Sequence, residues 1–309
     1  MRIRYLAVLT ALLTCLTASP LSAQLISEDE MLFLTQEWEG ERYPDGRPMV
    51  SADILERMEI VSIEEAWAVL RRHGYHSQFA GEWMMIHEDE PIVGRALTAL
   101  YMPNRPELQE RMLERGHAAG QVGPMNSWPI DALEQGDVYV ADGYGKIADG
   151  TLIGDNLGNA IYANSGNGVV FDGSLRDLEG LEEIEGFNAF VRGWHPSYIQ
   201  EMMLGGLNVP IRIGEAHVLP GDVVLAKREG VIFIPPHLAE EVVETAEIVT
   251  LRDRFGHQRL REGTYTPGQI DTRWTEEIER DFYGWLEANI DELPVPSSRI
   301  QEILEERNW

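Results

Sequence analysis

Apolar residues along this chain recur in two patterns, at helical spacing and in short unbroken runs, and the two alternate loosely. Ser62 and Glu65 form a capping-box signature, and Ile63, Ala66, Trp67 and Leu70 follow on one helical face until Gly74 ends it. Gly94 to Tyr101 reads as a strand, and Pro106 opens a helix with Leu108, Met112 and Leu113 turned inward. Asp137 to Ala141 reads as a buried strand, and the two Asp-Gly pairs within Asp142 to Gly150 predict hairpin turns, because Asp-Gly suits positive φ. A helix from Leu157 to Gly166, a strand from Gly168 to Phe171, a turn at Asp172-Gly173 and a strand within Ile184 to Arg192 come next. Asp222 to Ala226 and Val231 to Ile234 read as strands separated by Gly230, and Pro235-Pro236 starts a helix with Leu238, Val242, Val243 and Ala246 on one face.

These elements predict an α/β (α+β) core rather than a strictly alternating doubly wound sheet. Before it, Gln24 to Val50 is broken by Pro44, Gly46 and Pro48, which suits an extension with one short helix around Glu30 to Trp38. After it, Ile278, Phe282, Trp285 and Leu286 form an amphipathic stripe stopped by Pro294 and Pro296, and Ser298 with Gln301 caps a final short helix. That stripe suits packing on the chain's own core and clasping a neighbouring subunit equally well. The expected divisions are a leader over 1–23, an extension over 24–49, a catalytic domain over 50–256 and a helical C-terminal extension over 257–309.

Composition changes this picture in three ways. With 8 Trp, 10 Tyr and 8 Phe, the chain carries enough large apolar side chains to exclude disorder despite its charge. Arg2 and Arg4, an apolar run from Tyr5 to Leu16 and Leu21-Ser22-Ala23 have the layout of a secretory signal peptide, so the expectation is an exported protein, periplasmic or secreted, with no membrane span. Cys15, the one cysteine, lies in that leader and would be a poor lipidation site; without it the mature chain has no thiolate, and any metal must be held by oxygen or imidazole. The formal charge is -27, and loss of Arg2 and Arg4 makes it -29, which disfavours nucleic acid as a partner.

Chemistry concentrates between Gly154 and Asp177, where Asp155 is followed by twenty residues and then Arg176-Asp177. A helix of about ten residues is about 15 Å long, and a strand of about five covers about 16 Å on the way back. Both ends should therefore meet. At that point the amides of Asn156, Leu157 and Gly158 would be free at a helix N-terminus to receive an anion. Two carboxylates, a guanidinium fork and amide donors suit magnesium or manganese and a substrate bearing a carboxylate and a carbonyl. Read from physics alone, the same residues suit a capped helix and surface ion pairs equally well.

The spacing of Asp155, Arg176 and Asp177 resembles that of the RraA-like family, whose aldolase members act on 4-hydroxy-4-methyl-2-oxoglutarate and 4-carboxy-4-hydroxy-2-oxoadipate. The resemblance extends to GRALT at Gly94, GDVYVADG at Gly136, GFNAFVRG at Gly186, PGDVV at Pro220 and GVIFIPPHLAEEV at Gly230. It implies a swivelling β/β/α fold, assembly as a homotrimer or larger ring, and a metal-dependent retro-aldol cleavage of a pyruvate-derived keto acid, with oxaloacetate decarboxylation through the same enolate. It also implies roles: Asp177 binding Mg2+ or Mn2+ directly, Asp155 holding the cation through water, and Arg176 contacting the substrate and stabilising the enolate. The chain departs from the aldolase pattern at Gly180, where an acidic residue is expected, with Glu179 one position early. Because the family also has non-catalytic members that regulate an RNA-degrading enzyme, a protein-binding regulator is an alternative. A lyase or hydro-lyase on a sugar acid is another, with Trp194, His195 and Tyr198 at the substrate end and Arg192 for a distal carboxylate.

Overall fold

A computed structural model describes residues 26–306, so the expected leader and Cys15 lie outside the described residues. The first part of the chain is helical: α1 (Glu28–Leu34), α2 (Ala52–Met58) and α3 (Ile63–Arg72). Each starts on a serine, Ser27, Ser51 or Ser62, whose hydroxyl accepts an orphan amide of the first turn. The Ser62–Glu65 capping box is present in both directions, but Trp67 points out of the core and stacks against Arg71 instead of joining Ile63, Ala66 and Leu70.

Two short strands, β1 (Phe79–Ala80) and β2 (Met84–Met85), precede the long β3 (Ile92–Pro103). Then come α4 (Pro106–Ala118), β4 (Asp137–Asp142), α5 (Asp155–Ser165), β5 (Val169–Leu175), α6 (Leu178–Glu182) and β6 (Ala189–Trp194). Strands β7 (Met202–Leu207), β8 (Ile211–Ile213), β9 (Ala216–Val218), β10 (Val223–Lys227) and β11 (Gly230–Ile234) complete the β elements, and α7 (Ala239–Glu262), α8 (Pro267–Ile270), α9 (Glu276–Asn289) and α10 (Ser297–Glu305) close the chain.

The main sheet runs β1-β11-β10-β3-β4-β5-β6-β2, with β7 pairing the far half of β3. Strands β3, β4, β5 and β6 are parallel and buried on both faces, which is why their sequences are nearly continuous apolar runs. The strands on either side of this parallel block are antiparallel to their neighbours. The result is a mixed α/β sheet with a helical C-terminal region.

Three differences from the sequence reading bear on the site. The Asp-Gly pairs at 142 and 149 do not turn hairpins: β4 and β5 are parallel, so the connection crosses over through α5, and positive φ at Tyr144, Gly145 and Asp149 shapes a loop at the strand end. Asp172-Gly173 is not a turn either but an irregularity inside β5, which runs on to Leu175. The stripe of Ile278, Phe282, Trp285 and Leu286 packs on the chain itself, with Leu251, Phe255, Trp274 and Ile300, and α10 begins after Pro296 with no side-chain cap from Ser298.

The segment before α2 is tied to the core by charge. Arg47, 1% exposed, donates to Asp137 at 2.7 Å, and Arg95 of β3 approaches the other oxygen of Asp137 while donating to the Val50 carbonyl. Two arginines around one fully buried carboxylate leave no net buried anion, the condition under which such burial is tolerated.

Candidate functional site

The site is assembled at the carboxyl ends of β4 and β5, where open parallel sheets present their loops to ligands. Beyond the last β4–β5 pairs the chain re-enters the ladder as an extra parallel segment. Thr151 bridges Ser174, the Leu152 amide donates to the Ser174 carbonyl at 3.0 Å, and the Arg176 amide donates to the Ile153 carbonyl at 3.2 Å. This pairing holds Asp155, the first residue of α5, beside Arg176 and Asp177. Helix length alone would not suffice, because β5 is two residues longer than the five read from sequence.

Gly154 marks the closest approach. A Cβ there would collide with Asp177 Oδ2 and lie 3.2 Å from Arg176 Cγ and Cζ, so a larger residue would displace the Asp177 carboxylate. Asp177 has φ 58 and ψ 45, a left-handed conformation that costs a residue with a Cβ about 1 kcal/mol. A non-glycine residue held there at a strand-to-helix junction is a common mark of a functional position. The Asp177 side chain turns back to Arg176, Nη1 to Oδ2 at 2.8 Å, with both side chains more than a third exposed. An ion pair so exposed contributes about 0–1 kcal/mol, and a ligand can open it cheaply.

Asp155 accepts the Asn156 amide on Oδ1 at 2.8 Å, and its Oδ2 faces α6. A Cβ on Gly180 would lie 2.8 Å from Asp155 Cβ and 2.9 Å from Oδ2. The missing acidic residue at 180 therefore has a physical counterpart: Asp155 occupies the space its side chain would need.

The amides fare differently from expectation. The Asn156 amide is taken by Asp155, and the Gly158 amide donates to the Gly154 carbonyl at 2.9 Å as part of the helix. Gly158 is small for another reason: a Cβ there would run into Leu181, so it seats α6 on α5 rather than admitting an anion. Asn156 and Leu157 line instead a small cleft of about 70 Å3 that opens beside Arg176 and is walled by Ile153, Tyr198 and Ile199.

Of the other candidates, Tyr198 is 61% exposed at the rim of this cleft. The His195 amide continues the β5–β6 ladder by donating to the Leu175 carbonyl, and its Nδ1 meets Ser197 Oγ at 2.9 Å. Arg192 is committed elsewhere: Nε donates to Asp172 at 2.7 Å, Nη1 donates to the carbonyls of Gly81 and Glu82, and the guanidinium stacks 3.7 Å over Trp83. Sequence reading had no signal for Asn126, which enters the cleft wall from a loop far along the chain and donates to the Leu152 carbonyl at 2.8 Å.

Asp155 and Asp177 offer oxygen donors alone. The described residues contain no group of three or more His, Cys, Asp or Glu placed to cage a metal. Two carboxylates nonetheless fit magnesium or manganese, which keep several waters and take further oxygens from a substrate.

Fold and site together define a mixed α/β protein with an Asp/Arg-Asp cluster at the ends of adjacent parallel strands. The sequence profile of the RraA-like family, described as Aldolase/RraA, matches residues 51–233, and the chain belongs to that family. A "Putative 4-hydroxy-4-methyl-2-oxoglutarate aldolase" of Ectopseudomonas mendocina is 31% identical over 36% of this chain and 67% of its own length. An uncharacterized protein of Methanocaldococcus jannaschii is 26% identical over 56% of this chain and 92% of its own. Among solved structures, Streptomyces coelicolor RraAS2, described as an unusual member of the RNase ES inhibitor RraA protein family, superposes with a TM-score of 0.56 at 24% identity. It covers 68% of this chain and 100% of its own. An uncharacterized Pseudomonas syringae protein gives 0.61 at 23%, over 75% and 99%.

Proposed function

We propose that the protein is a divalent-metal-dependent lyase that cleaves a carbon-carbon bond in a pyruvate-derived 4-hydroxy-2-keto acid through an enolate. The observation that carries this reading is the convergence of Asp155, Arg176 and Asp177 on one exposed point, closed by the Arg176–Ile153 hydrogen bond. The aldolase-named relatives support it.

Asp177 would hold the cation directly, and Asp155 would hold it through water. Magnesium or manganese, when bound, supplies Lewis-acid polarisation of the 2-keto oxygen. Arg176 leaves Asp177 to bind the substrate carboxylate through its fork, and its charge offsets the negative charge that develops on the keto oxygen. Asp155 accepts the proton of the C4 hydroxyl as the C3–C4 bond breaks. The electron pair of that bond passes to C3 as the enolate of pyruvate, and C4 leaves as a carbonyl compound. Return of the proton to C3 completes pyruvate. Oxaloacetate, which reaches the same enolate by losing carbon dioxide, is a second substrate of this reading. Export of the mature chain and assembly as a homotrimer or larger ring belong to the same proposal.

The test is pyruvate release from oxaloacetate and from 4-hydroxy-2-keto acids, with magnesium and with chelator. Chelation and Asp177→Ala should each lower turnover by about a hundredfold or more, the scale for losing a group that stabilises a developing oxyanion. Turnover indifferent to both overturns the mechanism. No pyruvate from any keto acid would favour the protein-binding alternative, for which RraAS2 is the structural relative.

A further inference from the structure

We infer that the protein has a second small-molecule site, for a primary ammonium ion, in the cavity that the N-terminal extension closes over Asp222. The cavity measures about 110 Å3 and shares no lining residue with the cleft beside Arg176. One wall, Leu34 to Trp38, precedes the residues 51–233 that match the family. Asp222 sits level with the start of β4, because its carbonyl accepts the Ala96 amide and Ala96 pairs with Val138. Asp155 lies beyond the other end of that strand, so the inference is independent of the proposed lyase chemistry.

The depth of the cavity orders its chemistry. Asp222 and Gln78 are buried at its floor, Trp38, Tyr75 and His237 are half-buried on its walls, and Glu37 and His217 are exposed at its mouth. Asp222 is 2% exposed within the single chain, so the floor does not depend on a neighbouring subunit. Its Oδ2 accepts the Leu219 amide at 2.8 Å, and among the described residues nothing donates to Oδ1. The Gln78 side-chain nitrogen donates to the Phe233 carbonyl at 2.9 Å, which leaves the side-chain oxygen as an acceptor. The Tyr75 hydroxyl is engaged with His237 Nε2 at 3.4 Å. A buried carboxylate with one amide and no cation is costly, and the Asp222 carboxyl is accordingly pushed up to about 7. Burial first, and then the charges of Asp222 and Glu37, hold the Tyr75 phenol above its ordinary value, which places all three groups in one neighbourhood.

Among the described residues no lysine or arginine lines this cavity. Arg42, behind Thr35, is taken by the Thr35 hydroxyl and the carbonyls of Thr35, Gly46 and Trp38. A primary ammonium brings three donors and a positive charge. It can meet Asp222 Oδ1 and the Gln78 oxygen while its carbon chain lies against Trp38 and Tyr75, whose ring faces attract cations. An anion would face Asp222 and Glu37 with no compensating cation, and a neutral alcohol would leave the carboxylate without an opposite charge. The net charge of -27 draws cations toward the mouth. A divalent metal is the poorer fit, because the described residues contain no group of three or more His, Cys, Asp or Glu placed to hold one.

The test is calorimetric titration of the full mature protein with propylammonium chloride, in about 0.15 M sodium chloride to screen surface charge. At about pH 8 it should show saturable one-site binding with a Kd on the order of 1 mM, the scale for so few heavy atoms. At about pH 5.5, where Asp222 holds its proton, affinity should fall about tenfold or more. The imidazoles of His217 and His237 also gain protons on acidification and repel the same ion, so Asp222→Asn is titrated under both conditions. That variant should bind about tenfold or more weakly at the higher pH and lose most of the pH dependence. Leu34→Trp, on the half-buried wall from α1, fills the cavity without touching Asp222 and should abolish binding, and 1-propanol should not bind. Propylammonium that fails to saturate at the higher pH, that binds both variants as well as the wild type, or that is matched by 1-propanol overturns the inference.

Discussion

Gly180 and Gly154 show how backbone space, rather than an added functional group, positions the acids of the site. Gly180 stands where the aldolase pattern has a carboxylate, and Asp155 uses the room it leaves. Gly180→Ala should therefore push Asp155 off its position with little change in stability, since the gain in helix propensity of about 1 kcal/mol opposes the clash. The expected outcome is a fall in kcat of about tenfold or more at an almost unchanged melting temperature, because misplacement of a catalytic group by about 1 Å costs this much. Asp155, Arg176 and Asp177 were legible in the sequence because their spacing is a motif. The state of the Asn156 and Gly158 amides was not, because that depends on which acceptors the folded loop brings to them.

At the scale of elements, apolar runs located β3 to β6, β10 and β11 but left out β1, β2 and β7 to β9, and turn residues were a second source of error. Asp142-Gly143 and Asp172-Gly173 carry a hairpin signal, yet they sit at matching places on parallel neighbours, where the long crossover through α5 overrides the local preference. The amphipathic stripe of α9 was legible as an apolar face but not its occupant. That occupant is the end of α7: Phe255 packs edge-on against Phe282 and Trp285 at 5.4 and 5.8 Å and lies tilted against Trp274 at 5.2 Å. Phe255→Ala leaves a cavity among these rings, and denaturant titration should show a loss of about 3–5 kcal/mol in the stability of the unit that includes α7 and α9.

For the whole molecule, buried charge makes stability depend on pH. Asp222, 2% exposed at the turn into β10, has its carboxyl pushed up to about 7 by burial, against the hydrogen bond it accepts from the Leu219 amide. An unfolded aspartate loses its proton near pH 3.9. Between roughly pH 4 and 7 the folded chain thus binds the extra proton, and this group's contribution to stability falls as pH rises through that window, then levels off. Asp222→Asn keeps an oxygen for Leu219 and removes the titration. The melting temperature of the variant should exceed that of the wild type at pH 8, with the difference shrinking toward pH 4; a constant difference across that range would contradict the assignment.

The sequence by itself determined which segments are apolar, that the chain is strongly acidic, and which three side chains form the motif, since these follow from residue type and spacing. Tertiary structure decided the parallel order of β3 to β6, the Arg176–Ile153 bond that brings Asp155 to Asp177, the withdrawal of Arg192 and the entry of Asn126 into the cleft wall. Each of those depends on partners far apart in the chain, and local pattern carries no information about which distant group fills a given space or takes a given hydrogen bond.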